Sequence, residues 1–272
     1  MKKPGTTLPT FSPVSRLTVH ERVYDRIRDA LVIGKMLPGQ RIIIRELAAA
    51  LGTSMMPARE ALRRLEAENA LVVAGSGTLS VPIMSPSDYE ELCLIRVALE
   101  GKAAAEAAAR ITPDELAKLK QVIVALEKAS ETRDLEAALR LNHEFHHLIY
   151  RAARRSLLLR LIESLWLRVG PQLSYAVRND IHGGIVIKSD DHPHREILRA
   201  LTARNGRAAA AGIARDIRIA EKVIVAHLVA ETKAQSEVGK KGRSKRHGPA
   251  PGAAAKRGKL TGRAVRPRTT RG

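Results

Sequence analysis

The sequence predicts a mainly α-helical protein in two parts: three helices with a two-stranded hairpin at the N-terminus, then an all-α helical bundle. Three observations carry this expectation. Apolar residues recur at helical spacing along almost the whole chain to about residue 232, and the pattern breaks only once into short β-like runs, around Gly75-Ser76-Gly77. The last 35 residues hold 12 Lys or Arg, no acidic residue and almost nothing apolar. Such a segment cannot offset its chain entropy by burial and is expected to be disordered.

Residues 1–15 are rich in Pro, Thr and Ser and read as a flexible arm. From about Thr18 to Gly34, Val19, Val23, Ile27, Ala30 and Leu31 mark one face of a first helix; Gly34 ends it and Leu37-Pro38-Gly39 makes a turn. A short helix from about Ile44 to Leu51 stops at Gly52. Ser54 is placed to cap a third, with Pro57 tolerated in its first turn and Ala58, Ala61, Leu62 and Leu65 as its apolar stripe. Leu71–Ala74 and Thr78–Val81 then flank a Gly-rich turn as a hairpin. Ser87-x-x-Glu90 and Thr112-Pro113-x-Glu115 are capping-box starts for helices at about 88–110 and 113–130. Four more are expected at about 134–153, 156–179, 189–203 and 206–232. The domain expectation is an arm at 1–15, a head at 16–83, a helical domain at 84–234 and a basic tail at 235–272.

Several classes are excluded at this stage. The 272 residues carry a net charge of +19, but residues 1–237 hold 35 basic and 28 acidic side chains, a surplus of only seven. The single cysteine, Cys93, rules out a disulfide framework or a Cys-based zinc finger and fits a reducing cytoplasm. No apolar run approaches a membrane span, and the N-terminal lysines are not followed by the apolar stretch of a secretory signal. For a basic, helical chain expected to be cytoplasmic, nucleic acid is the first partner to test.

Helix, helix, turn, helix and hairpin is the order of a winged helix-turn-helix. The stripe of the third helix turns Arg59, Arg63 and Arg64 outward, with Arg59 near the N-terminus, where side chains reach base edges. Arg45 on the preceding helix suits a phosphate or a base, and Gly75 and Gly77 let the wing tip approach a backbone. The segments "VYDRIRDALVIGKMLPGQRI", "RELAAALGTSMMPAREALRRLEAENALVV" and "GTLSV" resemble the winged-helix domain of GntR-type bacterial transcription regulators. "DYEELCLIRVALEGKAAAEAA", "NHEFHHLIYRAA" and "HREILRALTARNGRAAAAGIARDI" resemble the all-helical FCD domain of the FadR-like subfamily, so the likeness covers about residues 17–230. It implies DNA contacts by Arg45, Thr53, Ser54, Arg59 and Gly77, to which the helix reading adds Arg63. Met55 and Ala70 stand where the family usually has Arg and Gly, which implies an operator preference of its own.

His143-Glu144-Phe145-His146-His147 matches the zinc-protease pattern H-E-x-x-H. On a helical wheel with 100° per residue, Ala138, Leu141, Leu148, Ile149 and Ala152 fall within about 60° of Phe145, and His143 and His147 fall opposite. Those two histidines are therefore expected in water, with no wall for a metal site. Asn142 and His146 border the apolar face instead. The resemblance implies that such a pair supplies two metal ligands, with His194 as a third. At the remaining position, where the family has His, this chain has Asp216, beside the stripe Ile213, Ile217, Ala220 and Ile224. Asn142, His146, His194 and Asp216 form a mixed N/O set suited to one divalent transition metal: Zn, Mn or Ni. The alternative is a polar cluster that holds an effector or waters without metal. His192 is a spare ligand or a loop histidine.

Arg96 lies between Leu92, Ile95 and Leu99, so it is expected to be partly buried and to need an anion. That anion is an effector carboxylate, as the resemblance implies, or a structural acid such as Glu100. Trp166 and Tyr175 read as core or pocket wall. The expected protein is not an enzyme. It is a ligand-responsive transcription regulator, a repressor, that binds double-stranded palindromic operator DNA as a homodimer and senses a small organic-acid effector. Two other readings stand beside it: a metal-dependent hydrolase built on the HEFHH segment, and a non-specific nucleic-acid binder driven by the tail.

Overall fold

The computed structural model describes residues 19–75, 77–178 and 192–244, with side chains as far as Lys233. Among them run α1 (Val19–Val32), α2 (Ile44–Ala50), α3 (Met55–Ala67), β1 (Val72–Val73), β2 (Leu79–Ser80), α4 (Pro86–Arg110), α5 (Pro113–Glu131), α6 (Leu135–Ala152), α7 (Ser156–Arg178), α8 (Pro193–Thr202) and α9 (Gly206–Ser244). The expected arm, Ser76 of the wing turn, the Gly183-Gly184 break and tail residues 245–272 lie outside the described residues. α9 runs ten residues past Ala234, where the sequence ends the helical domain.

In the head, α1 and α2 both pack on α3. The stripe Ala58, Ala61, Leu62 and Leu65 is buried, and Ala61, Leu62 and Leu65 join Ile27 and Leu31 in one hydrophobic core. Ser54 is the N-cap of α3 with extended backbone, but its side chain makes no cap hydrogen bond. Arg64 is not free on the outer face. Its guanidinium sits 3.7 Å above the Tyr24 ring and pairs with Glu68, which also accepts the Tyr24 hydroxyl at 2.7 Å. The wing pairs Val72 with Ser80 and Val73 with Leu79, antiparallel. Residues 40–42 add to it, because Ile42 N donates to Leu79 O at 2.8 Å and Val81 N to Gln40 O at 3.0 Å. That bridge is too short for periodicity to reveal behind the Pro38-Gly39 turn.

In the bundle, the cap of α4 is Ser85 rather than Ser87. Ser85 Oγ accepts from Asp88 N at 3.1 Å, and the Asp88 carboxylate accepts from Ser85 N. Both serines begin a capping pattern; Pro86 decides, because proline suits the first helical position, where its missing N–H costs nothing. Thr112 caps α5 as expected, and His192 caps α8. α6 packs against α4, α5 and α7 together, a placement that buries more of its circumference than one apolar stripe suggests.

Head and bundle belong to the same compact unit, which ends at Glu231. The C-terminal turn of α1 lies on α7 at Gly170, where a Cβ would collide with the carbonyl oxygens of Leu31 and Val32. Gly34, at φ +67°, presses against Ser174 and Gly170 in the same contact. Polar links flank it: Arg28 pairs with Glu163 at 3.0 Å, Arg168 donates to Asn69 O at 3.2 Å and Gln172 to Pro82 O at 3.3 Å.

Candidate functional site

α4, α6, α7, α8 and α9 line a cavity of about 330 Å³. Its polar end gathers three of the four expected ligands. His146 Nε2 lies 3.3 Å from His194 Nε2 and 3.3 Å from Asp216 Oδ2, and His194 Nε2 is 3.3 Å from Asp216 Oδ1. Both imidazoles are buried, whereas Asp216 stays partly open to the cavity. Asn142, the fourth, is buried on the same cavity wall. His194 reaches the cluster from the second position of α8, and Asp216 from one turn into the apolar stripe of α9.

The hydrogen bonds behind this cluster set its chemistry. Glu100 accepts from Arg96 Nε at 2.8 Å and also receives the Tyr150 hydroxyl. Burial and the Glu100 carboxylate raise the Tyr150 pKa well above the ordinary phenol value, so it keeps its proton and donates it to Glu100. The Tyr150 oxygen, 3.2 Å from His146 Nδ1, is then the acceptor for that N–H, which leaves the lone pair of His146 on Nε2. This is the outer partner that fixes the tautomer of a metal-binding histidine. Burial lowers the His194 pKa and favours its neutral form. Burial pushes Asp216 up, but the neighbouring His194 and His146 outweigh it and hold its carboxyl well below the usual range. His146 Nε2, His194 Nε2 and an Asp216 carboxylate oxygen, with ligand atoms all within 4.8 Å of one another, are a donor set that fits a divalent transition metal. His146, His194 and Asp216 would hold the ion; His192 instead caps α8, its Nδ1 accepting from His194 N at 3.2 Å.

Arg96 is buried at 4 % exposure, and its anion in the structure is Glu100, the structural alternative. Burial opposes its charge, but Glu100 more than restores it. Arg96 also lies over the Trp166 ring, 5.2 Å from its centroid, and both line the cavity. Trp166 is therefore pocket wall. Tyr175 points elsewhere, donating to Glu231 at 2.5 Å.

His143 and His147 do not face open water, contrary to the wheel. α7 covers that side of α6: the His143 ring meets Trp166 edge-on at 5.2 Å, and His147 Nε2 lies 3.3 Å from Glu163. Burial, aided by neighbouring His147, pushes the His143 pKa down to about 3. Glu144 turns away toward Lys118 and Arg140. His143 and His147 stay side by side, ring centroids 5.2 Å apart, but the Glu144 carboxylate of the protease pattern is turned away from them.

On the head, Arg45 and Arg59 are exposed and, among the described residues, unpaired; Arg63 is exposed with a loose Glu60 contact at 3.8 Å. Thr53 is half-buried, Ser54 exposed, and Gly77 has φ +74° with open space around it. Sequence reasoning offered Glu100 as a partner for Arg96 and missed Tyr150. Tyr150 had a signal, since it stands four residues after His146 on one face. Glu163 had none, because its partners lie on other helices.

A helix-turn-helix with a wing, joined to a helical bundle with a polar-ended cavity, is the architecture of a DNA-binding transcription regulator. The chain belongs to the gntR family of bacterial regulatory proteins: residues 19–79 match that family and residues 91–219 match the FCD domain. The HTH-type transcriptional regulator McbR of Escherichia coli (strain K12) is 36% identical over 168 residues, covering 62% of this chain and 76% of its own. A probable D-xylose utilization operon transcriptional repressor of Paenarthrobacter nicotinovorans is 30% identical over 194 residues, covering 71% and 83%. The solved structure of E. coli McbR/YncC superposes with a TM-score of 0.72 at 31% identity, covering 78% of this chain and 99% of that one. The matched families are transcription regulators, not enzymes. No helix among the described residues is long and apolar enough to cross a membrane.

Proposed function

We propose that this protein is a cytoplasmic, ligand-responsive repressor that binds a palindromic operator as a homodimer and releases it when the bundle takes up a small organic acid beside a divalent metal. The observation that carries the reading is the coexistence of exposed arginines on α3 with a cavity of convergent metal-binding groups. Arg59 reads base edges, Arg45 and Arg63 hold phosphates, Thr53 and Ser54 approach the backbone at the start of α3, and Gly77 brings the wing close. In the bundle, His146, His194 and Asp216 hold the ion and Asn142 borders it. Bound there, the metal supplies a positive centre for the acid. Arg96, already matched by Glu100, shapes the wall through Trp166 more than it grips a second charge.

Coupling between the two sites has a physical route. Trp166 on the cavity wall touches His143, His147 pairs with Glu163, and Glu163 pairs with Arg28 of α1 in the head. A ligand that moves Trp166 biases the α1–α7 contact, and two heads held at a different spacing lose one half-site. The basic tail adds sequence-independent affinity, which truncation after Ala234 would reveal as a shallower salt dependence.

The test is binding of the full chain to a labelled DNA fragment from upstream of its own gene, at about 0.2 M salt, with shuffled competitor. Specific binding weakened about 10- to 100-fold by Arg59→Ala and a solution mass of twice 29.7 kDa are expected. Binding insensitive to Arg59→Ala, or equal on shuffled DNA, overturns the reading. Glu163→Gln is expected to leave acid binding intact while reducing the effect of the acid on DNA affinity.

A further inference from the structure

The outward face of α3 carries more than arginines. Met55 and Met56 open this helix and stand 49 % and 67 % exposed, the two large apolar side chains of α3 left in water. At 100° per residue, Met56 lies about 60° from Arg59 and about 20° from Arg63, opposite the buried stripe. Met55 lies about 40° from Arg59 on its other side, at the edge of the stripe but ahead of its first member, Ala58. The two methionines therefore bracket Arg59 one turn nearer the start of the helix.

A single exposed apolar residue is ordinary on a protein surface, whereas an adjacent pair beside a binding face asks for a partner. The surroundings say which kind. The first turn of α3 holds no acidic residue, and in the next Glu60 stands against Arg59 and Arg63, all three exposed. Arg45 adds an exposed cation on α2, which packs on α3. An apolar pair in a basic surround suits a partner that is anionic overall and shows apolar groups between its charges. In the major groove of duplex DNA that group is the thymine C5-methyl.

The chemistry of methionine agrees. Its thioether has no N–H or O–H to donate, and its sulfur accepts only weakly, so it cannot take guanine O6 and N7 as an arginine does. Its unbranched, polarisable chain instead adapts its shape to a methyl group. Placed over cytosine, it would cover the N4 amino donor without replacing the water lost from it.

We infer that Met55 and Met56 are specificity-determining residues that select thymine in the operator by packing on its 5-methyl group. The inference rests on the reading of α3 as the operator-contacting helix, and it adds which base feature the start of that helix recognises. Met56 precedes Arg59 by about 4.5 Å along the helix axis, and successive base pairs are about 3.4 Å apart. The selected thymine therefore lies within about two base pairs of the one that Arg59 reads.

The experiment uses the full chain and the upstream fragment described above, with each thymine of the protected segment replaced in turn by deoxyuridine. That replacement removes the 5-methyl group and leaves base pairing intact. For the unsubstituted chain, affinity is expected to fall about three- to fivefold at one thymine or more, the scale of one buried methyl group. In Met55→Ala/Met56→Ala the penalty at those thymines is expected to vanish while Tm stays unchanged, since both side chains are exposed. Met56→Gln, similar in length but polar, is expected to reduce the penalty as well. Affinity indifferent to every replacement overturns the inference, as does an undiminished deoxyuridine penalty in Met55→Ala/Met56→Ala. Specific binding that withstands Arg59→Ala, or no preference for the fragment over shuffled DNA, overturns instead the reading of α3 on which the inference rests.

Discussion

Arg59 in α3 and Arg96 in α4 are both guanidinium groups on helices, and the structure treats them in opposite ways. Arg59 stands in water with no partner among the described residues, at negligible desolvation cost and with its donors available to DNA. Arg96 is 4 % exposed and survives burial only because Glu100, itself fully buried, takes two of its donors. The difference separates two uses of charge. A charge meant for an external partner is left unsatisfied at the surface, where loss of it leaves the fold unaffected. A charge inside the bundle is satisfied internally, and its loss is a defect of folding before it is a defect of binding. Arg64 shows that address in the sequence does not decide between them: one residue after Arg63, it is stacked on Tyr24 and belongs to the architecture of the head.

The largest expected effect lies on the buried side. Glu100→Ala strands Arg96 and removes the acceptor of Tyr150, and should lower unfolding stability by about 3–5 kcal/mol in urea titration. A loss below about 1 kcal/mol would erase the distinction between the two arginines. Next comes the join between the regions. Gly170→Ala drives a Cβ into the Leu31 and Val32 carbonyls and should cost roughly 3 kcal/mol, a fall of several degrees in Tm. If the variant melts normally, head and bundle are less tightly seated than the contact implies. Arg59→Ala should reverse the pattern, weakening specific DNA binding by about 10- to 100-fold, or roughly 1–3 kcal/mol, with Tm unchanged. The smallest effect belongs to Arg63→Ala: a uniform few-fold loss across DNA sequences and a salt slope reduced by about one. Loss confined to one operator sequence would move Arg63 from phosphate holder to base reader.

The order of elements was legible because it depends on local rules. Apolar spacing marked the stripe of α3, glycines marked the ends of α1 and α2, and Thr112-Pro113-x-Glu115 announced α5. The outward placement of Arg59 and Arg63 was legible for the same reason, since the face of a helix opposite its stripe is exposed. The α4 cap was not, because Ser85 and Ser87 offer the same pattern and a neighbouring proline separates them. The facing of α6 was misread because a wheel built on one stripe assumes one buried side, and this helix has neighbours on three.

Of the buried cluster, the sequence by itself determined the residue types and, through family likeness, which of them to compare: His146, His194 and Asp216 stand up to 70 residues apart on three helices. Only the tertiary structure decided that their ligand atoms meet within 4.8 Å, that Glu100 rather than a ligand neutralises Arg96, and that Tyr150 turns His146 so that Nε2 faces the cavity. Helical period specifies which side of one helix is apolar. It does not specify which residue of another helix arrives opposite, and hydrogen bonds between buried groups are set by that arrival.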